Sequence, residues 1–469
     1  MLIETNIEVN LRSIEEFTRV MVSELLEDKI NFEILKENDL IKIKVKSEKL
    51  NKNTEFSYID LGNKIEDQVL TMCKISLLKL LDKKYDWGSL MGVRPTKVLR
   101  RLLINGCDYK EARKILKDFY LVTDEKINLM ETVVKKELEL LDKEHINLYI
   151  GIPFCPTKCK YCSFASYEIN GGVGRFYNDF VEALLKEIQI VGDFLKTYSK
   201  KVSSIYFGGG TPSTLTEEDL ERVLKKLLEN IDMTDVKEFT FEAGREDSLN
   251  IKKLEIMKKY FVDRISLNPQ SFNLETLKRV NRRFNRENFD LIFKEAKKLE
   301  FIINMDLIIG LPEETTEEIL ETLSQLKDYN IDNLTIHCLA FKRASKLFKE
   351  SQERNIIDRA LIEKYIQKIV KEKAMKPYYM YRQKNIIEWG ENIGYSKEGK
   401  ESIFNIEMIE ENQNTMALGG GGISKIVIEE RNGIDYIERY VNPKDPALYI
   451  RELDKRCKEK IEMFKKEKI

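Results

Sequence analysis

The chain has 469 residues, 42% apolar and 34% charged, and its 79 Lys and Arg almost balance 80 Asp and Glu. At roughly 100–200 residues per domain this length implies several domains with a large core and excludes a disulfide-stapled miniprotein, while the near-neutral balance excludes a global pull toward nucleic acid. Apolar runs such as Ile302-Ile303 and Leu307-Ile308-Ile309 are broken by Asn304 and Asp306, far short of the roughly 20 residues a bilayer crossing needs. With no basic region followed by an apolar stretch at the N-terminus, a cytoplasmic protein without a membrane span is expected.

The first 60 or so residues read as a strand (Ile3 to Val9), a helix (Ile14 to Leu26) and strands around Phe32 to Ile34 and Leu40 to Val45, the last alternating with lysine. Helical periodicity follows to Lys143, giving an N-terminal α+β domain over 1–144. From Asn147 the pattern changes to short apolar strands, Leu148 to Ile152, Ser204 to Phe207, Glu238 to Glu242, Arg264 to Leu267, Ile302 to Ile308 and Asn333 to Leu339. Helices are predicted between them at Phe176 to Tyr198, Glu217 to Asn230, Ile251 to Lys259, Leu274 to Val280 with Arg286 to Leu299, and Thr316 to Tyr329. Parallel neighbours require crossover connections, so six successive β/α units predict an α/β fold with a parallel sheet, a partial or full barrel over 145–345, whose sites lie beyond the carboxyl ends of the strands. A C-terminal α+β module over 346–469 carries a helix (Asp358 to Ala374), the aromatic run Tyr378-Tyr-Met-Tyr, strands near Phe404 and Ile426, and a charged helical tail from Tyr449 that reads as a solvated face.

Of the 7 cysteines, Cys73, Cys107, Cys338 and Cys457 are isolated, whereas Cys155, Cys159 and Cys162 stand at C-x3-C-x2-C on a loop leaving the first core strand. Such a cluster points to metal before disulfide, and with only 2 histidines a His-rich zinc site or histidine triad is a poor starting point. A complete [4Fe-4S] set takes four thiolates; three would leave one iron open to an outside ligand. A zinc site completed by a distant cysteine, and three reduced structural cysteines, are the alternatives, the zinc reading weakened by the lack of a second C-x2-C pair. The second core strand ends in Tyr206-Phe-Gly208-Gly209-Gly210-Thr211-Pro212, a turn that lets backbone approach a ligand, or simply a tight turn. It is neither a Walker loop nor G-x-G-x-x-G, since position 213 is Ser.

The cysteine triplet with an aromatic before its last member, followed by Gly-Gly-Gly-Thr-Pro, resembles the radical S-adenosylmethionine (SAM) enzymes. Within them the chain is most similar to the oxygen-independent coproporphyrinogen III oxidase (coproporphyrinogen dehydrogenase) family: Tyr149-Ile-Gly-Ile-Pro-Phe-Cys, Pro269-Gln-Ser-Phe, Lys278-Arg-Val-Asn-Arg282 and Asp306-Leu-Ile-Ile-Gly-Leu-Pro312 recur in order. The N-terminal extension, with Trp87-Gly and Gly92-Val-Arg-Pro-Thr-Lys97, resembles the HemZ-like branch. The resemblance implies a partial (β/α)6 TIM-type barrel in which Cys155, Cys159 and Cys162 ligate a [4Fe-4S] cluster whose open iron binds SAM. It places Gly208, Gly209, Gly210 and Thr211 against the methionine amino end, Glu242 and Arg282 as acidic and basic SAM contacts, Gln270 and Asp306 at the ribose hydroxyls, and Tyr149 beside the cluster.

Phe164, counted among the cofactor-contacting positions, stands where the oxidase carries a fourth cysteine, a departure shared with family members thought to traffic haem, and Glu242-Ala-Gly-Arg245 replaces the Glu-x-x-Pro of many relatives. The implied activity is oxidative decarboxylation of two propionates of coproporphyrinogen III to protoporphyrinogen IX in haem biosynthesis, with electrons from a donor such as flavodoxin or ferredoxin. A haem-binding chaperone and a radical SAM enzyme acting on haem are the alternatives. Lys342, Arg343, Arg382 and Lys384 are candidate cations for a tetracarboxylate; His337 reads as either a barrel-facing or a core histidine, Tyr378-Tyr-Met-Tyr as a porphyrin-stacking or a core segment, and Gly419-Gly-Gly-Gly422 resembles a strand end near the pocket.

Overall fold

Period-two alternation builds the first sheet: in Leu40–Ser47, Ile41, Ile43 and Val45 are buried while Lys44 and Lys46 face solvent. A computed structural model describes residues 1–164, 166–340, 345–347, 356–383, 390–429 and 435–466, so the candidates Lys342, Arg343 and Lys384 lie outside the described residues. Strands β1 (Leu2–Thr5), β2 (Lys29–Glu37), β3 (Leu40–Ser47) and β4 (Lys52–Ile59) form a sheet in that order, β1 parallel to β2 and the others antiparallel. The helix Gln68–Leu80 packs on β3 and β4. The expected helix from Ile14 begins earlier, at Leu11, capped by Asn10, and ends at Met21 before a 3-10 turn. Strand β4 escapes the sequence reading because only Phe56 along it is buried, too weak an alternation to register. This unit, residues 1–138 with the described part of 380–391, also contains Arg382, whose guanidinium lies 5.1 Å over the Trp87 ring and donates to the Leu90 carbonyl at 2.5 Å.

The second unit holds the rest of the described chain. After β5 (Ile146–Ile152), two short strands, β6 (Phe154–Cys155) and β7 (Tyr167–Glu168), pair in parallel on either side of the cysteine loop. Strands β8 (Val202–Gly209), β9 (Glu238–Phe241), β10 (Arg264–Ser266), β11 (Ile302–Ile309) and β12 (Asn333–Cys338) join β5 in one parallel run. The connecting helices Glu217–Asn230, Ile251–Lys259, Leu274–Arg279, Arg286–Lys298 and Thr316–Gln325 each open on a side-chain cap, Thr216, Asn250, Asn273, Asn285 and Thr315, that accepts an otherwise orphaned backbone N–H. The predicted β/α alternation is the observed one.

Past β12 come β13 (Lys376–Tyr381), β14 (Asn392–Ser396), β15 (Asn414–Gly419), β16 (Ile423–Glu429) and β17 (Asp435–Val441). They extend the same sheet at both ends, in the order β13-β14-β12-β11-β10-β9-β8-β5-β15-β16-β17, with β14 antiparallel to β12 and β15 parallel to β5. The result is a mixed α/β fold built on one large sheet with a parallel centre, its end strands not paired to each other among the described residues. Phe404 corrects a sequence expectation: it lies in the helix Ile403–Glu410, capped by Ser402, and its ring stacks 4.3 Å from that of Tyr206. Tyr378 and Tyr379 pack in the core at 2% and 5% exposure. The C-terminal helix Pro446–Lys465 is not a solvated face either, because Tyr449, Leu453, Cys457, Lys460 and Phe464 make a buried stripe at spacings of three and four. Among the described residues no helix is long and apolar enough to cross a membrane.

Candidate active site

The cysteine loop leaves the carboxyl end of β5 and is tied down at almost every residue. Gly210 N–H donates to the Ile152 carbonyl and Thr211 N–H to that of Phe154, both at 2.8 Å, and the Thr211 hydroxyl donates to Cys155 Sγ at 3.2 Å. Gly209 takes φ +111°, and a Cβ on Gly210 would lie 2.6 Å from the Phe154 carbonyl and 3.1 Å from Cys155 Sγ, so this turn can pack on the cysteine loop only without side chains. Further along, Lys160 N–H bonds the Val280 carbonyl, Asn281 Nδ2 donates to Lys158 O at 2.9 Å, and Cys162 N–H closes back on Cys159 O. Arg245 donates to Thr157 O at 3.0 Å and to Cys159 Sγ at 3.9 Å. The three thiols are free; burial pushes Cys155 up to about 11 against the Thr211 hydroxyl, so metal binding there must displace a proton. Among the described residues no group of three His, Cys, Asp or Glu side chains is arranged to hold a single metal ion, an arrangement that a four-iron cluster, taking one thiolate per iron, does not require. The donor set, three free thiols on one immobilised loop, fits such a cluster.

The neighbouring strand ends carry the remaining groups. Glu242, just past β9, accepts the Tyr206 hydroxyl at 2.5 Å; burial raises it to about 7, with the nearby Asp306 charge adding to the effect. Tyr149 on β5 lies in a stack with Tyr206 and Phe404, ring centroids 6.2 Å from each, and burial raises its hydroxyl far above the ordinary value. Gln270, past β10, adopts φ +66°, bridges Leu307 of β11, and leaves Oε1 buried with no hydrogen-bond partner among the described residues. A left-handed glutamine with an orphan oxygen marks a strained position of the kind found at ligand sites. Asp306 on β11 accepts Asn268 Nδ2 and Asn304 Nδ2, both at 2.8 Å, and His337 of β12 approaches it to 3.8 Å; burial works against its charge, but these partners hold it below the usual carboxylate range. Arg282, 6% exposed, fixes Nη2 on the Gly244 and Asn268 carbonyls and keeps a buried Nε without a protein partner among the described residues.

The sequence-chosen residues Tyr149, Cys155, Cys159, Gly208 to Gly210, Thr211, Glu242, Gln270, Arg282 and Asp306 are thus gathered at one end of the parallel strands. Cys162 contacts Ser166 at 3.7 Å, while Phe164 turns outward at 66% exposure. Asn268, Asn304 and Tyr206 were missed: Gln270 and Glu242 came from the family resemblance, which gave none of these three a role. Gly420 N–H bonds the Gly151 carbonyl at 2.9 Å, which brings the late glycine run to the root of the cysteine loop.

A parallel sheet bearing this cysteine loop after its first strand defines a radical SAM protein, and the model of the Radical SAM superfamily matches residues 149–326. Members use a [4Fe-4S] cluster and SAM. The chain belongs to the oxygen-independent coproporphyrinogen III oxidase-like family, being 40% identical over 385 residues, 80% of its own length and 76% of the relative's, to the oxygen-independent coproporphyrinogen-III oxidase-like protein HemZ of Bacillus subtilis (strain 168). It is 31% identical over 198 residues, 42% of this chain and 51% of the relative, to the heme chaperone HemW of Escherichia coli (strain K12). It also shares the fold of coproporphyrinogen III oxidase (HemN) from Escherichia coli, with TM-score 0.52 and 20% identity over 69% of this chain and 73% of that one.

Proposed function

We propose that this chain is an oxidoreductase that decarboxylates two propionate side chains of coproporphyrinogen III, giving protoporphyrinogen IX. The reading rests on one arrangement: three thiols, a side-chain-free turn, a carboxylate and an orphan amide oxygen at the carboxyl ends of β5, β8, β9 and β10 in turn, with a second carboxylate in the carboxyl half of β11. When bound, the reduced cluster supplies homolytic cleavage of SAM, yielding a 5′-deoxyadenosyl radical that can take hydrogen from a propionate β-carbon; carbon dioxide and one electron, passed to an acceptor, then leave. Cys155, Cys159 and Cys162 would hold the cluster. Glu242 would accept from the SAM ammonium, Arg282 Nε would donate to its carboxylate, and Gln270 Oε1 and Asp306 would accept from the ribose hydroxyls. The tetrapyrrole assignment is supported by the likeness to the HemZ relative across most of both chains. A one-electron donor of the flavodoxin or ferredoxin type and a cytoplasmic setting complete the reading.

A haem-carrying role is favoured by Phe164 at the fourth-cysteine position and by the likeness to heme chaperones. Anaerobic incubation of the reconstituted protein with SAM, dithionite and coproporphyrinogen III separates the two. Tricarboxylated and dicarboxylated products with 5′-deoxyadenosine are expected; stoichiometric haem binding with no decarboxylation would replace the enzyme by the carrier.

Glu242 gives the site a pH dependence. Its carboxyl, raised to about 7 by burial, is protonated below that pH and offers the ammonium no charge. One proton must therefore leave on binding at low pH, and SAM affinity is expected to fall about tenfold per unit below pH 7 and to level off above it. Calorimetric titration of the oxidised holoprotein checks this: Glu242→Gln should flatten the profile, and a flat wild-type profile would remove Glu242 from the SAM site.

A further inference from the structure

We propose that Arg245 is a counter-charge that favours the reduced state of the cysteine-held cluster, a role that rests on the function proposed above. Its guanidinium, 4% exposed, is gripped by Asp247 through Nε–Oδ1 at 2.9 Å and Nη2–Oδ2 at 2.6 Å. This fork leaves Nη1 facing the other way, where it donates to Thr157 O at 3.0 Å and to Cys159 Sγ at 3.9 Å. The Asp247 side chain is 23% exposed and partly solvated, whereas the cationic end is buried against the sulfur, where its field is screened least. The pair is an oriented dipole with its positive end on a proposed cluster ligand. The other buried guanidinium nearby, Arg282, is committed to the Gly244 and Asn268 carbonyls.

Reduction adds one electron, delivered by an external one-electron donor that is itself oxidised by one electron, and no bond is made or broken. The cluster becomes more negative by one charge, so a buried cation at its ligand stabilises the reduced state more than the oxidised one. Net charge and hydrogen bonds to sulfur are established levers on such potentials.

The test compares wild type, Arg245→Gln and Asp247→Asn as full-length proteins anaerobically reconstituted with iron and sulfide, each titrated with dithionite and followed by low-temperature EPR. Arg245→Gln is expected to lower the reduced-to-oxidised ratio at a given potential about tenfold, which is about 59 mV for a one-electron couple. Asp247→Asn, which keeps the cation and removes its opposing charge, is expected to raise that ratio. An unchanged midpoint in Arg245→Gln at full iron content overturns the proposal, as does an unchanged or lowered midpoint in Asp247→Asn. If Arg245→Gln fails to hold iron, the Asp247→Asn comparison decides. A wild-type protein that forms no cluster overturns the proposed function instead.

Discussion

Cys159→Ala is expected to abolish both cluster assembly and reductive cleavage of SAM. Cys159 is 7% exposed, its loop is pinned by Arg245, Asn281 and the Val280 carbonyl, and its sulfur accepts from the Arg245 guanidinium. No thiol on the same loop can replace it, because Cys155 and Cys162 would each already hold an iron of their own. Loss of an outer-shell partner typically costs about 10–100-fold in metal affinity, so loss of a ligand should exceed that. Iron and acid-labile sulfide per chain, the EPR signal after reduction, and 5′-deoxyadenosine formation measure it. Full iron content and wild-type SAM cleavage in this variant would sink the cluster assignment.

Lys460→Met is expected to cost about 3–5 kcal/mol of stability, the usual consequence of leaving one member of a buried ion pair unpartnered. Lys460 Nζ sits 2.6 Å from Glu187 Oε1, with side chains 0% and 1% exposed, and also donates to the Ala417 carbonyl at 2.6 Å. Glu187 further accepts the Tyr449 hydroxyl at 2.6 Å, Asn442 Nδ2 at 3.1 Å and Gly419 N–H at 2.7 Å. Gly419 pairs with Gly151 in register, so the C-terminal helix braces the strand end from which the cysteine loop departs. Urea unfolding of the wild type, Lys460→Met and Glu187→Leu/Lys460→Met should show a large loss in the single variant and partial recovery in the double. Recovery stays partial because Gly419 N–H and the Tyr449 hydroxyl lose their acceptor. Equal stability of wild type and Lys460→Met would mean that the pair contributes nothing.

The two outcomes expose different kinds of information. The cysteine loop and the glycine turn were legible because their chemistry is local: sulfur spacing, a strand before and a turn after lie within about one β/α unit. The core helices were legible for a similar reason, each having its own periodicity and, past the first, a side-chain cap; those at Glu217–Asn230 and Ile251–Lys259 fall where the pattern puts them. Phe404 was misread because one aromatic among apolar neighbours fits either a strand or a helix, and its stacking partner, Tyr206, is distant in sequence. Lys460 was misread because an isolated Lys in a charged helix has the same signature whether it faces water or a carboxylate 273 positions away.

From sequence alone came the succession of β/α units, the thiol triplet and the glycine turn, since periodicity and short motifs report constraints between near neighbours; the class of protein and the carboxylates came from the family resemblance those motifs carry. Tertiary structure alone decided the partners: Asn268 on Asp306, Tyr206 on Glu242, Arg245 on Cys159 and Lys460 on Glu187. Each pairing joins groups whose protonation, charge balance or orientation depends on burial and on a neighbour supplied by another part of the chain. No local pattern carries that information, because the low-dielectric setting that makes these contacts strong exists only once the strands have assembled.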